Sequence, residues 1–191
     1  MWGTEQTIDD PFRLYLGKVV RYYYGHNYDD CLLYAQSGKR VPSSDAAIPL
    51  MDTDGTMPDD DPSLDAVPLR PEHAAQAVEL ATLTRPGPFG PRTPELGEYF
   101  GCFEDGRLIA MAGERMHAGT LHEISGVCTH PEFQGRGLAR RLMEKVIRRQ
   151  LLRGETPFLH VMRDNDSAHR LYLRMGFRDH CEAAVRVISR C

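Results

Sequence analysis

Gln134-Gly135-Arg136-Gly137-Leu138-Ala139 decides how this chain folds. Upstream, Leu121-His122-Glu123-Ile124-Ser125-Gly126-Val127-Cys128-Thr129 reads as a strand. Downstream, Leu138, Ala139, Leu142, Met143, Val146, Ile147 and Leu151 repeat at the three-and-four spacing of one buried helix face. Gly154 follows as a helix C-cap. Strand, glycine turn and helix in that order make an anion cradle. The glycines bend the backbone sharply, and the first N–H groups of the helix point outward with the positive end of its dipole. A dinucleotide fingerprint needs a third glycine where Arg140 stands, and a nucleoside-triphosphate loop needs Gly-Lys-Ser/Thr; neither is present.

A second motif follows. Thr156-Pro157-Phe158-Leu159-His160-Val161-Met162 reads as a buried strand, and Asn165 to Gly176 as a short helix with an Asn N-cap and a Gly C-cap. Ala168, Leu171, Tyr172 and Met175 share one face of it. Together the two motifs resemble the GNAT superfamily of N-acetyltransferases. In that family Q/R-x-x-G-x-G/A binds a pyrophosphate and N-x-x-A-x-x-L-Y-x-x-x-G-F follows the fifth strand. Arg85-Pro86-Gly87-Pro88-Phe89-Gly90-Pro91-Arg92-Thr93 further resembles a bacterial branch of that superfamily, which also has Leu-His-Val before the Asn-capped helix.

The resemblance implies roles. Gln134, Gly135, Arg136, Gly137, Leu138, Ala139 and Arg140 would hold the pyrophosphate of acetyl-CoA, the acyl donor. Arg136, Arg140 and Arg141 oppose the helix dipole, a conflict that a bound pyrophosphate would remove; they read otherwise as the start of a solvated basic face. Gly126 marks a bulge that splays the fourth strand from the fifth. Into that gap Val127, Cys128 and Thr129 would receive the pantetheine arm, with an N–H near Val127 stabilising the oxyanion. Tyr172 would protonate the departing thiolate; helix spacing alone makes it a core aromatic. Glu123 stands where histone-type members carry a general base, and a raised pKa would suit it to that work. It reads otherwise as an ion-paired carboxylate, with water removing the proton. Asn165 either touches the donor or only caps its helix. Cys128 reads as a small buried hydrophobe or as a neighbour of the acyl group. The Arg85–Thr93 segment would either wall the acceptor site or serve as a stiff connector.

Charge divides unevenly. Residues 1–65 hold 5 basic and 12 acidic residues, and residues 66–191 hold 18 and 15. The second portion suits a polyphosphorylated ligand and is too weakly basic to predict nucleic acid as a partner. The 5 cysteines are scattered, which suits free thiols in a reducing cytoplasm. No run of eighteen apolar residues predicts a membrane span, and Met1-Trp2-Gly3-Thr4 opens no secretory signal. His122, Cys128, His130, His160 and His180 match no common zinc spacing, so no metal is expected.

The expected fold class is α/β (an α+β mixed sheet). It is a central, mostly antiparallel sheet, splayed between its fourth and fifth strands, with helices on both faces, as in GNAT-like acyl-CoA N-acyltransferases. Its elements are a first strand at Ala66 to Arg70 and a helix from Pro71 to about Leu83, with Ala74, Val78, Leu80 and Ala81 inward. A hairpin of Glu98 to Phe103 and Leu108 to Arg115 follows, and the last strand runs from about Ala183 to Ile188. Members usually finish with two strands, and only one long strand or a tight pair fits here. The domains read as 1–50, an extension rich in tyrosine from Tyr15 to Tyr34; 51–65, an acidic linker; and 66–191, the N-acetyltransferase domain. The expected activity is transfer of an acetyl group to a primary amine in a ternary complex, the amine belonging to a small molecule or a peptide. A noncatalytic acyl-CoA-binding module is the alternative, and a homodimer is compatible with either.

Overall fold

A computed structural model describes residues 47–184. The tyrosine-rich stretch and the part of the expected last strand beyond 184 lie outside them. The elements are β1 (Ala47–Thr53), β2 (Val67–Pro68), α1 (Ala74–Thr84), β3 (Tyr99–Glu104), β4 (Arg107–Ala118), β5 (Leu121–Thr129), α2 (Leu138–Leu152), β6 (Thr156–His160), α3 (Asp166–Arg174) and β7 (Phe177–Ala184). Seven strands form one sheet in the order β2-β3-β4-β5-β6-β1-β7. Every neighbouring pair is antiparallel except β5 and β6, which run parallel.

The helices cover opposite faces. Leu142, Met143, Val146 and Ile147 of α2 are at most 2% exposed and pack on Phe100, Ala110, Ala112 and Ile124. Each such side chain contributes about 1.5–3 kcal/mol by leaving water. Ala77, Leu80 and Ala81 of α1 pack with Leu108, Met111 and Cys128. The alternation of Ala110 and Ala112 against Met111 sorts β4 between the two layers. Ala77 joins Leu80 and Ala81 in the buried stripe of α1, the expected Ala74 and Val78 are half-buried, and the helix begins after a 3₁₀ turn at Pro71–His73. The β3–β4 hairpin turns through Asp105 and Gly106, both at positive φ.

The sheet gains a strand that the sequence reading did not contain. Ala47–Thr53 inserts between β6 and β7 and is antiparallel to both. It pairs with β7 where the sequence reading allowed one long C-terminal strand or a tight pair. Met51–Thr53, read as the start of an acidic linker, are its last residues, and Met51 is wholly buried. The acidic stretch beyond it is tied to α2: Arg141 Nε donates to Asp61 at 2.6 Å, and Arg148 donates to the Pro58 carbonyl at 3.0 Å.

Candidate active site

A fork in the sheet positions the site. The parallel register of β5 and β6 runs from Leu121 opposite Thr156 to Ile124 opposite Leu159, and then stops. The cause lies on the other side of β5. Between Ser125 (opposite Gly113) and Cys128 (opposite Met111), β5 carries one residue more than β4. Gly126 sits in this bulge at φ 64°. A Cβ there would also lie 2.9 Å from Tyr99 Cε1 and 3.2 Å from Phe89 Cε2, so only glycine fits without displacement. Beyond the bulge the His130 N–H donates to the Ile109 carbonyl at 2.7 Å. By strand alternation the Thr129 N–H points the other way, into the gap. The Thr129 hydroxyl is buried with no hydrogen-bond partner among the described residues. A gap with an outward amide and an orphaned hydroxyl fits an extended polar arm.

The turn before α2 completes that gap. Gly135 and Gly137 adopt φ 78° and 74°, and Gly137 is the residue from which α2 starts. Gln134 donates from Nε2 to the Thr129 carbonyl at 3.4 Å, tying the turn to the end of β5. The cations behave differently from the sequence argument. Arg136 pairs with Glu104 at 2.9 Å and lies over the Phe133 ring, Arg140 pairs with Glu144 at 2.8 Å, and Arg141 pairs with Asp61. Carboxylates thus already offset the conflict with the helix dipole, and no anion is needed to relieve it.

At the apex of the fork a cleft is lined by Pro86, Arg115, Glu123, Gly126, His160 and Tyr172, among others. Glu123 is 1% exposed. Arg115 grips its carboxylate at both oxygens, Nε to Oε2 at 3.1 Å and Nη2 to Oε1 at 2.5 Å. His160 Nδ1 lies 2.9 Å from Oε1. Burial pushes the carboxyl upward, but the Arg115 charge and the His160 and Arg115 hydrogen bonds outweigh it and hold the group at about 2. Of the two readings of Glu123, the structure holds the ion-paired carboxylate, and the raised pKa that would suit a base is not found. Tyr172 faces the same cleft at 8% exposed, and burial alone pushes its phenol up to about 12. It stays protonated across the physiological range, as a proton donor must.

The other candidates separate. The Cys128 side chain joins the α1 core, and burial raises its thiol to about 11, the state of an inert packed cysteine. Asn165 Oδ1 accepts from the Ala168 N–H at 3.1 Å and so caps α3. Leu138 and Ala139 lie half-buried in the first turn of α2, where only their backbone faces the loop. Of the histidines considered for zinc, His160 meets Glu123, His130 meets Phe133 edge-on, and His180 stands 3.4 Å from Asp52, while His122 groups with Glu114 and Glu155, their candidate ligand atoms all within 4.8 Å of one another. The Arg85–Thr93 segment lies against the cleft through Pro86 and through Phe89, whose ring meets Tyr99 edge-on at 5.7 Å. Arg92 is instead engaged with Glu95 on the surface. Arg115 and the role of His160 were missed, because both act across strands whose register the sequence does not print.

The chain is similar in sequence and fold to known proteins. Residues 99–187 match the family model described as FR47-like protein. Over 83 residues the chain is 34% identical to N-alpha-acetyltransferase RimI of Mycobacterium tuberculosis, covering 42% of this chain and 51% of that one. A crystal structure of a GNAT-family protein from Novosphingobium aromaticivorans DSM 12444 shares 46% identity at a TM-score of 0.67, over 72% of this chain and 61% of that one. The ribosomal-protein-S18-alanine N-acetyltransferase of Escherichia coli shares the fold at a TM-score of 0.52 and 23% identity, over 58% of this chain and 75% of that one. The chain thus spans about half the length of the RimI protein it matches.

Proposed function

Because residues 99–187 belong to the GNAT superfamily, we propose that this chain is an acetyl-CoA-dependent N-acetyltransferase acting on a primary amine. The observation that carries the reading is the parting of β5 from β6 beside a two-glycine turn, with a neutral phenol at the apex. In this reading the backbone N–H groups of Val127 and Thr129 hold the pantetheine arm, and one near Val127 stabilises the oxyanion. Gln134 and the amides of Gly135 through Arg140 hold the pyrophosphate, with Arg136 and Arg140 exchanging a carboxylate for a phosphate. The Asn165 carboxamide oxygen is committed to the helix cap, which leaves only its NH₂ group for the donor.

The chemistry then divides between two walls. The amine loses its proton on the Glu123 side, to a side chain or through water, and attacks the thioester. Tyr172 gives its phenolic proton to the sulfur. A peptide α-amine, at about 7.7–8.0, gives up its proton near neutral pH far more readily than the ammonium of a lysine side chain, at about 10.4. That argument and the likeness to RimI favour a protein or peptide N-terminus as the acceptor. Buried free thiols at Cys102 and Cys128 are compatible with a reducing cytoplasm, and no described helix is long and apolar enough to cross a membrane.

Release of free thiol from acetyl-CoA, measured across peptides with free N-termini, lysine and small amines, tests the proposal. Turnover with the peptides is expected. Tyr172→Phe should slow it roughly 100-fold while leaving CoA affinity unchanged. Binding without thiol release for every amine would instead mark a noncatalytic CoA-binding module.

A further inference from the structure

At the end of α2 away from the glycine turn, three ligand-bearing side chains meet. Glu114 on β4 lies opposite Ile124 on β5, and Ile124 belongs to the core under α2. Cross-strand partners share a face, as do residues two apart in one strand, so Glu114 and His122 both stand on the α2 side of the sheet. Glu155, in the link from α2 to β6, reaches the same place. His122 Nδ1 is 3.4 Å from Glu155 Oε2, and one ligand atom each from Glu114, His122 and Glu155 lie within 4.8 Å of one another. Tetrahedral ligation at about 2.0–2.2 Å from a zinc ion sets its ligand atoms roughly 3.3–3.6 Å apart. The His122–Glu155 pair already stands at that spacing, and Glu114 has only to close in.

A positive nitrogen occupies the centre of the group. Arg153 Nη2 donates to Glu114 Oε1, and to Glu155 Oε2 at 2.6 Å, so it touches both carboxylates that an ion would bridge. The arginine has somewhere else to go. Its side chain is 33% exposed, and its Nη1 donates to Glu98 Oε2 at 2.6 Å, a pairing that survives displacement of Nη2. Two neighbours prepare the site further. His117 lies opposite His122, and their rings stack at 5.3 Å, which fixes the plane of the imidazole. Gln150 ends the inward stripe of α2, is wholly buried, and has no partner for Oε1 or Nε2 among the described residues. Its carbonyl accepts from the N–H groups of Arg153 and Glu155, both at 3.0 Å, so it sits beneath the link that carries Glu155. A buried amide without partners is costly, and a hydrated ion beside it would supply a hydrogen bond.

We propose that Glu114, His122 and Glu155 form a binding site for a divalent transition-metal ion such as zinc, with Arg153 holding the place of the ion in its absence. Two carboxylates balance the charge of the ion, a neutral imidazole is the third ligand, and water takes the fourth position. The imidazole selects against magnesium and calcium, which prefer oxygen alone. Binding exchanges one cation for another: the ion enters between the glutamates and the guanidinium turns to Glu98. The site is separate from the CoA cradle, since the 15 residues of α2 span about 22 Å. The ion would staple the closed end of the β4–β5 hairpin to the link that enters β6. Of the residues whose spacing was weighed for zinc, only His122 takes part; both other ligands are glutamates that the register brings to it.

Calorimetric titration of the full chain with zinc chloride, and with magnesium chloride beside it, tests the proposal. Wild type is compared with His122→Phe, Glu155→Gln and Arg153→Met, each checked for folding by circular dichroism; the phenylalanine keeps a ring to stack on His117. Wild type is expected to bind one zinc ion per chain and to give no heat with magnesium. His122→Phe and Glu155→Gln should each weaken zinc by more than about 10-fold, since even an outer-shell partner is worth that much. Arg153→Met should bind zinc more tightly than wild type, because the competing cation is gone. The His122→Phe comparison decides the site without the Arg153 variant. No saturable zinc binding by wild type overturns the proposal, and so does a folded His122→Phe that binds zinc as wild type does. Equal binding of magnesium overturns the role of the imidazole, and an Arg153→Met that binds no more tightly overturns that of the arginine. Acetyl transfer by His122→Phe is expected to match wild type, so this site and the acetyltransferase reading fail separately.

Discussion

Glu123 and Tyr172 line one cleft, are both buried, and have been driven in opposite directions. Burial alone favours the neutral form of each. For Tyr172 nothing offsets it, and the phenol moves up to about 12. For Glu123 the Arg115 guanidinium and His160 reverse it, and the carboxyl moves down to about 2. Burial therefore does not determine which groups in a site are charged; the partners that the strands bring within reach do. One wall is a permanent ion cluster and the other a neutral donor, an arrangement suited to moving a proton in on one side and out on the other.

The most disruptive way to break the contrast is Arg115→Met. It leaves a buried carboxylate without its main cation, so Glu123 should become Tyr172-like, with its pKa moving above the ordinary carboxylate range. The expected cost is about 3–5 kcal/mol of stability at neutral pH, read by denaturant unfolding. A loss within about 0.5 kcal/mol would mean that the pair does not hold the wall charged.

Titration sharpens the contrast at both ends. The folded Glu123 lies below its unfolded value of about 4.5, so its contribution is complete above that value and disappears as pH falls toward about 2. Wild type should lose about 3 kcal/mol across that window, and Glu123→Gln should lack this part of the acid dependence. The sign reverses for Tyr172, whose folded value is raised from about 10 to about 12. Its contribution is complete below pH 10 and disappears as pH rises through 12. The smallest effect belongs to Tyr172→Phe. It should change stability at neutral pH by less than about 1 kcal/mol, since the ring and its contact with Phe177 remain, yet it should remove the tyrosine-linked alkaline loss.

The same contrast explains how far the sequence could be read. The α2 stripe, the Gly135 and Gly137 turn, the Gly126 bulge and the Asn165 cap were all legible, because each is local: a period, a positive φ or a cap needs only its neighbours in the chain. Placement of Tyr172 followed from helix period plus resemblance. What depended on register was not legible. Arg115 reaches Glu123 through a hairpin with two register shifts, and His160 reaches it across a parallel pair 37 residues away. Hence the sequence left Glu123 between a base with a raised pKa and an ion-paired carboxylate, and only the register decides for the latter. The carboxylates that pair with Arg136 and Arg141 lie 32 and 80 residues away, so those charges looked uncompensated. Strand β1 was hidden for the same reason. Its sequence carries Pro49 and acidic Asp52, and its partners lie more than 100 residues downstream.

Isothermal titration calorimetry of the full chain with CoA and acetyl-CoA tests the central claim most directly. The account predicts one site per chain for both ligands, and much weaker binding when Gly137, at φ 74°, is replaced by valine. A folded wild-type protein that gives no heat with either ligand would contradict the claim that this fork and turn form a CoA site.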